Sequence, residues 1–360
     1  MSRPIVANID LKALQHNLAR VRQLAPASNV MSIVKADAYG HNLLTCCQAL
    51  KDSDAFGLLD LADAISLRNA GFSQPICLLE GFFTADEIPA IASYKLEPVI
   101  HSSWQLDILQ DMQDDLMLSV WLKVDTGMHR LGFATDEFRQ AQTRLSEMKC
   151  IHKVTVMSHL ASADERRRPT TAEQLQQFVK TTEDSGCARS LANSAAILAH
   201  PDCHYEWVRP GIMLYGSSPF SDTPAEDLDL SPVMSLQSEI ISVKHLQQGD
   251  AVGYGGTWLC PEEMRVAVVA CGYGDGYPRH APAGTPVMVA GSLTTLIGRV
   301  SMDMVTVDLR GIDDADIGSP VELWGRGVSV DTVAEMSGTI AYELLCGVTA
   351  RVKRQEITNG

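Results

Sequence analysis

The stretch VMSIVKADAYGHN, residues 30–42, decides how the chain is read. Val30 to Val34 form an apolar run of strand length, and Lys35 follows it directly. Seven more such runs follow: Phe56–Leu59, Ile76–Leu79, Pro98–Ile100, Leu118–Val124, Val154–Met157, Ser190–Ala192 and Trp207–Tyr215. Helix-like segments separate most of them, among them Ala62–Asn69, Glu87–Ser93, Trp104–Met112, Asp136–Met148 and Ala172–Glu183. Eight strands alternating with helices indicate a parallel sheet in an α/β fold, and that number points to a (β/α)8 TIM barrel. An open doubly wound sheet competes with it, because periodicity does not distinguish the two. Ahead of these strands, Asp10 is placed to cap a helix whose apolar stripe is Leu11, Leu14, Leu18, Val21 and Leu24.

After Gly216 the texture changes. Residues 217–232, SSPFSDTPAEDLDLSP, are acidic and rich in Ser and Pro, and read as a linker. Beyond them come the β-branched runs Glu239–Val243, Arg265–Ala270, Pro286–Val289, Thr294–Ile297, Met304–Val307 and Pro320–Leu323. Helical patterning returns only near Thr332–Met336. The division expected is a barrel over residues 1–230 and a mostly-β C-terminal domain over 231–360.

Composition narrows the partners. Of 360 residues, 29 are Lys or Arg and 44 are Asp or Glu, a net charge of −15. So acidic a chain does not suit nucleic acid or an anionic membrane, both of which recruit basic patches. A local site can still oppose the global sign and take a small anion. The nine cysteines are scattered and contain no CxxC pair, which fits reduced, mostly packed thiols rather than a disulfide framework. No run approaches the ~18 apolar residues of a membrane span, and residues 1–12 lack an apolar signal core. A soluble, cytoplasmic protein is expected.

In a barrel the C-terminal ends of the strands carry the chemistry. Lys35 stands at such an end, where partial desolvation would lower its pKa and favour a Schiff base with an aldehyde cofactor. Ser32-x-x-Lys35 nominally matches a serine hydrolase, but the SDN and KTG elements are missing and strand residues three apart face opposite sides. Arg130, in a glycine-containing turn, could hold a carboxylate or phenolate. Lys123 lies on a strand, where an uncharged or modified lysine is cheaper to bury than an ammonium. Ser158-His159, Asn193-Ser194 and Arg209-Pro210-Gly211-Ile212 end the sixth, seventh and eighth strands. The loops after strands seven and eight form phosphate sites in barrels, and Ser194, Gly211 and Ile212 occupy those slots. Gly253–Gly256 and Gly272–Gly276 read as tight turns displaying Tyr254 and Tyr273. His200 and His204 could suggest zinc, but Pro201 disfavours a helix that presents both.

Nine strings then occur in register along the chain: VKADAYGHN, LKVDTGMHRLG, MSHLASAD, ANSAA, WVRPGIMLYG, VGYGGTW, GYGDGYPR, GRVSMDM and AYELL. Together they resemble the signatures of the alanine racemases that depend on pyridoxal 5'-phosphate (PLP). The resemblance implies a barrel, a C-terminal β domain, and a head-to-tail homodimer whose sites are shared between subunits. It implies that Lys35 carries PLP as an imine, and that Tyr39, Ser194, Gly211, Ile212 and Tyr342 hold the phosphate, with Asn193 beside them. Arg209 would face the pyridine nitrogen, supported by His159, and Arg130 would sit near the phenolic oxygen. Lys123 matches a lysine that is carbamylated in many members. From the partner subunit, Tyr254 would act as second base and Met302 would meet the substrate carboxylate, while Tyr273 and Asp303 would shape the entryway.

Racemisation removes a proton from one face of the α-carbon and delivers another to the opposite face. The resemblance assigns Lys35 to D-alanine and Tyr254 to L-alanine, with Arg209 and His159 tuning a phenol that ordinarily titrates near ~10. A barrel-type PLP decarboxylase would want an acidic residue at the pyridine nitrogen, where this chain offers Arg209. A non-catalytic PLP carrier would lack the β domain that supplies Tyr254. A racemase of serine or broader specificity differs by one hydroxyl and stays open.

Overall fold

The computed structural model describes residues 3–111 and 117–357. Strand β1 (Val6–Asp10) leads into the helix Leu11–Leu24, which starts where expected. The Asp10 carboxylate accepts from Lys12 N and Ala13 N at 3.0 Å each, satisfying two of the free N–H groups of the first turn.

Eight parallel strands follow: β2 (Asn29–Ile33), β3 (Ala55–Leu58), β4 (Ile76–Leu78), β5 (Leu96–Ile100), β6 (Leu118–Lys123), β7 (Ile151–Met157), β8 (Ala188–Ser190) and β9 (Trp207–Val208). The first pairs with the last, Asn29 opposite Trp207 and Val30 opposite Val208, so the sheet is a closed barrel and the open doubly wound alternative is excluded. The last strand is shorter than expected. Pro210 removes a ladder donor, and Ile212–Tyr215 turn as a 3-10 helix instead of continuing the strand. The helix expected over Trp104–Met112 is observed over Ser103–Gln110, and Met112 lies outside the described residues.

The rest is mostly β, with β10 (Met234–Leu246), β11 (Ala251–Val252), β12 (Trp258–Leu259), β13 (Met264–Val269), β14 (Pro286–Val289), β15 (Ser292–Ile297), β16 (Val305–Asp308), β17 (Pro320–Trp324) and β18 (Lys353–Ile357). Strand β10 pairs with β17 along its first part and with β13 along its second, so the sheet folds back on itself. Two helices, Val330–Met336 and Ala341–Gly347, close this part; only the first was expected.

Strand β1 departs from the expected division. It pairs antiparallel with β10 and parallel with β18, with Val6 opposite both Gln237 and Lys353. The chain therefore begins in the second sheet before entering the barrel. Residues 217–232 connect the two parts but are fastened: Ser217 Oγ donates to the Asp331 carboxylate, and Ser218 N donates to it at 3.1 Å. Among the described residues no helix is long and apolar enough to cross a membrane.

Candidate active site

Half-buried Lys35 stands at the end of β2 and opens an unusual turn. Ala36, Asp37, Ala38 and Tyr39 all have φ of 53° to 54°, one turn of left-handed helix built without glycine. For L-residues this costs roughly 1–2 kcal/mol each, so the surroundings must impose it. Ala38 N donates to Val34 O at 3.0 Å, Leu43 N to Asp37 Oδ1 at 2.7 Å, and Arg354 Nε to Gly40 O at 2.9 Å. Gly40, at φ 80°, packs so closely on Leu345 O that a side chain there would collide.

Buried Tyr39 reaches from this turn to the loop after β9. Its ring stacks on Tyr215 at 4.6 Å and lies 6.1 Å from Tyr342, which comes from the helix Ala341–Gly347. Burial raises the pKa of both Tyr39 and Tyr342, so each phenol stays a neutral donor. A β-carbon on Gly211 would stand 2.7 Å from Tyr39 Oη. Ser194 Oγ accepts from Gly211 N at 2.9 Å and Met213 N at 3.4 Å, while Asn193 caps the helix Ser194–Ala199 by accepting from Ala196 N at 3.1 Å. The structure thus brings together Tyr39, Asn193, Ser194, Gly211, buried Ile212 and Tyr342 from distant parts of the sequence. Three hydroxyls and main-chain N–H groups, with no side chain at 211, suit a phosphate.

Beside this cradle lies a cluster of cations. Arg209 is buried; it donates to Ser190 Oγ and Ser158 O at 2.6 Å each and to Leu191 O at 3.4 Å. Burial pushes its pKa down to about 10. No carboxylate among the described residues forms an ion pair with it. Lys123, at the end of β6, is also buried, and its pKa falls to about 8 through burial and then the charges of Arg209 and Arg130. His159 is held well below its ordinary pKa by desolvation and then by Arg209, Lys123, Arg130 and Lys35. It is a neutral imidazole. Lys123, Arg130 and His159 line one narrow cleft with Asp125, Met128 and Ser158. Exposed Arg130 sits in a turn ordered by Asp125, whose Oδ1 accepts from Gly127, Met128 and His129 N at 2.9 to 3.1 Å. A buried arginine without a carboxylate partner, close to Lys123 and Arg130 in a chain of net charge −15, marks a site suited to an anion.

Of the second-domain candidates only Tyr342 joins the cradle; among the described residues no hydrogen bond or ion pair links Tyr254, Tyr273, Met302 or Asp303 to it. Tyr254 is 68% exposed, Met302 52% and Tyr273 39%, each on a turn. The loops bearing Tyr273 and Met302 are stapled together: Tyr273 N donates to Ser301 O at 3.0 Å and Gly274 N to Met302 O at 2.8 Å. Asp303 pairs with Arg351 at 2.7 Å. Beneath them Asp275, fully buried, binds Arg3 at 2.6 Å, Arg351 at 3.3 Å and Gly272 N at 3.0 Å. Sequence reasoning passed over Asp275, although an acid flanked by glycines in GYGDG was a usable signal. His200 and His204 direct their Nε2 atoms at the backbone carbonyls of Ala163, and of Ala196 and Ile197.

A closed barrel with a lysine at the end of its first strand, a phosphate-type cradle and an unpaired buried arginine defines an enzyme site of the cofactor-binding barrel kind. The family model "Alanine racemase, N-terminal domain" matches residues 9–219, and "Alanine racemase, C-terminal domain" matches 233–356. The chain is 52% identical to the alanine racemase of Nitrosospira multiformis, over 98% of this chain and 99% of that protein. It is 47% identical to the catabolic alanine racemase of Klebsiella aerogenes, again over 98% and 99%. The crystal structure of biosynthetic alanine racemase from Pseudomonas aeruginosa superposes with a TM-score of 0.96 at 46% identity, covering 99% of both chains. The chain belongs to the alanine racemase family, and it is an amino-acid racemase.

Proposed function

We propose that the chain is a PLP-dependent enzyme that interconverts L-alanine and D-alanine, with Lys35 as the base for the D-amino acid and Tyr254 of a partner subunit as the base for the L-amino acid. The observation that carries the reading is Lys35 at the mouth of a left-handed turn, with the Tyr39–Ser194–Gly211 cradle and a buried Arg209 that no carboxylate among the described residues pairs with. The residues fit the cofactor. PLP, when bound, would be linked to Lys35 and would make the α-hydrogen of the amino acid acidic by drawing electron density from the α-carbon.

The chain's residues do the rest. Tyr39, Ser194, Tyr342 and the N–H groups of Gly211 and Ile212 bind the phosphate, with Asn193 fixing Ser194 through its cap. Arg209, held by Ser158 and Ser190, would stand at the pyridine nitrogen, with neutral His159 near it. An arginine gives that nitrogen no proton, which limits electron withdrawal and favours proton exchange over loss of carbon dioxide. Arg130 meets the phenolic oxygen and the substrate side, Met302 of the partner meets the carboxylate, and Tyr273 and Asp303 border the entryway. Lys35 and Tyr254 take and return the proton on opposite faces of the α-carbon.

The buried Lys123 amine, with its pKa near 8, is suited to add carbon dioxide and release a proton, giving a carbamate that pairs with Arg130. The exposure of Tyr254 and Met302 fits a homodimer in which the C-terminal domain, 231–360, completes the site of the other chain's barrel, 1–230. Scattered cysteines with no CxxC pair fit the cytoplasm. The test is to reduce the PLP-loaded enzyme with borohydride and map the peptides. A pyridoxyl group on Lys35 supports the reading; modification elsewhere, or none, overturns it.

A further inference from the structure

His41, six residues beyond Lys35, is fully buried and outside the machinery described above. Its Nδ1 lies 2.8 Å from Tyr39 O and 3.0 Å from Ala38 O. Both partners are carbonyl acceptors, so Nδ1 must carry the hydrogen and donate to both. Nε2 has no hydrogen-bond partner among the described residues and stays unprotonated, which makes the ring neutral. These two carbonyls belong to the last residues of the left-handed turn, the segment whose backbone is least able to hold itself. The imidazole also lies 4.7 Å from the Tyr215 ring, whose other neighbour is Tyr39 at 4.6 Å and whose hydroxyl donates to Ile33 O at 2.9 Å. One ring therefore touches the turn twice: directly through its carbonyls, and through Tyr215 at Tyr39 and at the end of β2. At the next residue, Gly40, Arg354 Nε and the Leu345 carbonyl complete the clamp.

We propose that His41 is a positioning residue that holds the left-handed turn Ala36–Tyr39 and thereby aims Lys35 and Tyr39 at the cofactor. The proposal rests on the assignment of Lys35 and Tyr39 to PLP. The Nδ1 donor carries most of this hold: phenylalanine would keep the stack and lose the donor, whereas asparagine would keep a donor near the Nδ1 position and lose only the stack.

The experiment compares wild type, His41→Phe and His41→Asn. Three readouts are taken: PLP affinity by titration, the pH dependence of the absorbance of protein-bound PLP, and hydrogen exchange of residues 36–40 without cofactor. His41→Phe is expected to fold, to bind PLP about tenfold or more weakly, in keeping with one lost buried hydrogen bond, to shift the absorbance titration, and to exchange faster in the turn. His41→Asn is expected to recover most of each change. A folded His41→Phe with all three readouts at wild-type values overturns the proposal. A wild type that takes no PLP on Lys35 overturns the functional reading instead, and faster exchange in His41→Phe would then still support the clamp. Should His41→Phe fail to fold, His41→Gln takes its place, keeping volume and a donor on a longer arm. Weaker PLP binding with faster exchange in the turn then supports the proposal, and wild-type values in all three readouts overturn it.

Discussion

Tyr39 and Gly211 approach so closely that a β-carbon at 211 would stand 2.7 Å from the Tyr39 hydroxyl. They come from the first and last strand ends of the barrel, which adjoin only because β2 pairs with β9. Gly211→Ala must push Tyr39 aside, and Tyr39 is wedged against Tyr215. We expect a loss of about 1–3 kcal/mol in denaturant unfolding, typical of overpacking, together with at least tenfold weaker PLP binding in a titration. Wild-type affinity would show that the contact carries nothing.

Asp275 is buried between Arg3 and Arg351 beneath the loops that carry Tyr273 and Met302. Asp275→Asn keeps the shape and removes the charge, leaving those guanidiniums with a weaker acceptor. Stability should fall by about 1–3 kcal/mol. Steady-state kinetics should show KM for alanine rising while PLP affinity holds, since the proposed assignment gives these loops to the substrate and not to the phosphate.

Acid should weaken the fold through its buried histidines. The pKa of His41 is lowered from 6.5 to about 4 in the folded state, chiefly by burial, and that of His159 also lies below its ordinary value. An unfolded chain therefore binds protons that the folded one refuses, and stability is lost as pH falls from about 6.5 toward 4. For His41 the difference is on the order of 3 kcal/mol. Urea unfolding at pH 7.5 and 4.5 checks it: His41→Asn should lose less stability between the two than wild type.

The Lys123 carbamate has a direct spectroscopic test. Wild type in labelled bicarbonate should give a carbamate carbon signal, absent from Lys123→Ala. That variant should lose activity and regain part of it with a short carboxylic acid that can pair with Arg130. A wild type without the signal contradicts the assignment.

The barrel is legible in the sequence because each buried parallel strand is a short apolar run that stops where a polar strand end begins, as at Lys35 and Ser158. The eighth run reads too long because Ile212–Tyr215 is apolar in a 3-10 turn as much as in a strand. Strand β1 escapes a sequence reading since VANID is five residues long and its partners, Gln237 and Lys353, are far away in sequence. The left-handed turn is not legible in its own residues: Ala36, Ala38 and Tyr39 have no preference for positive φ, and it stands against contacts from distant Arg354 and Leu345 at Gly40 and from neighbouring His41. The candidate site residues of the barrel are legible as strand-end positions and family strings. The environment of Arg209, a buried cation held by Ser158 and Ser190 without an acid, is visible only in three dimensions.

The most direct measurement of the central claim, that one chain supplies Lys35 and its partner Tyr254, mixes two inactive variants. Lys35→Ala and Tyr254→Ala chains are unfolded and refolded together, and heterodimers are verified by mass. Random pairing leaves one complete site in half of the dimers, so racemisation should return to about a quarter of wild type. Verified heterodimers without activity would contradict the shared site.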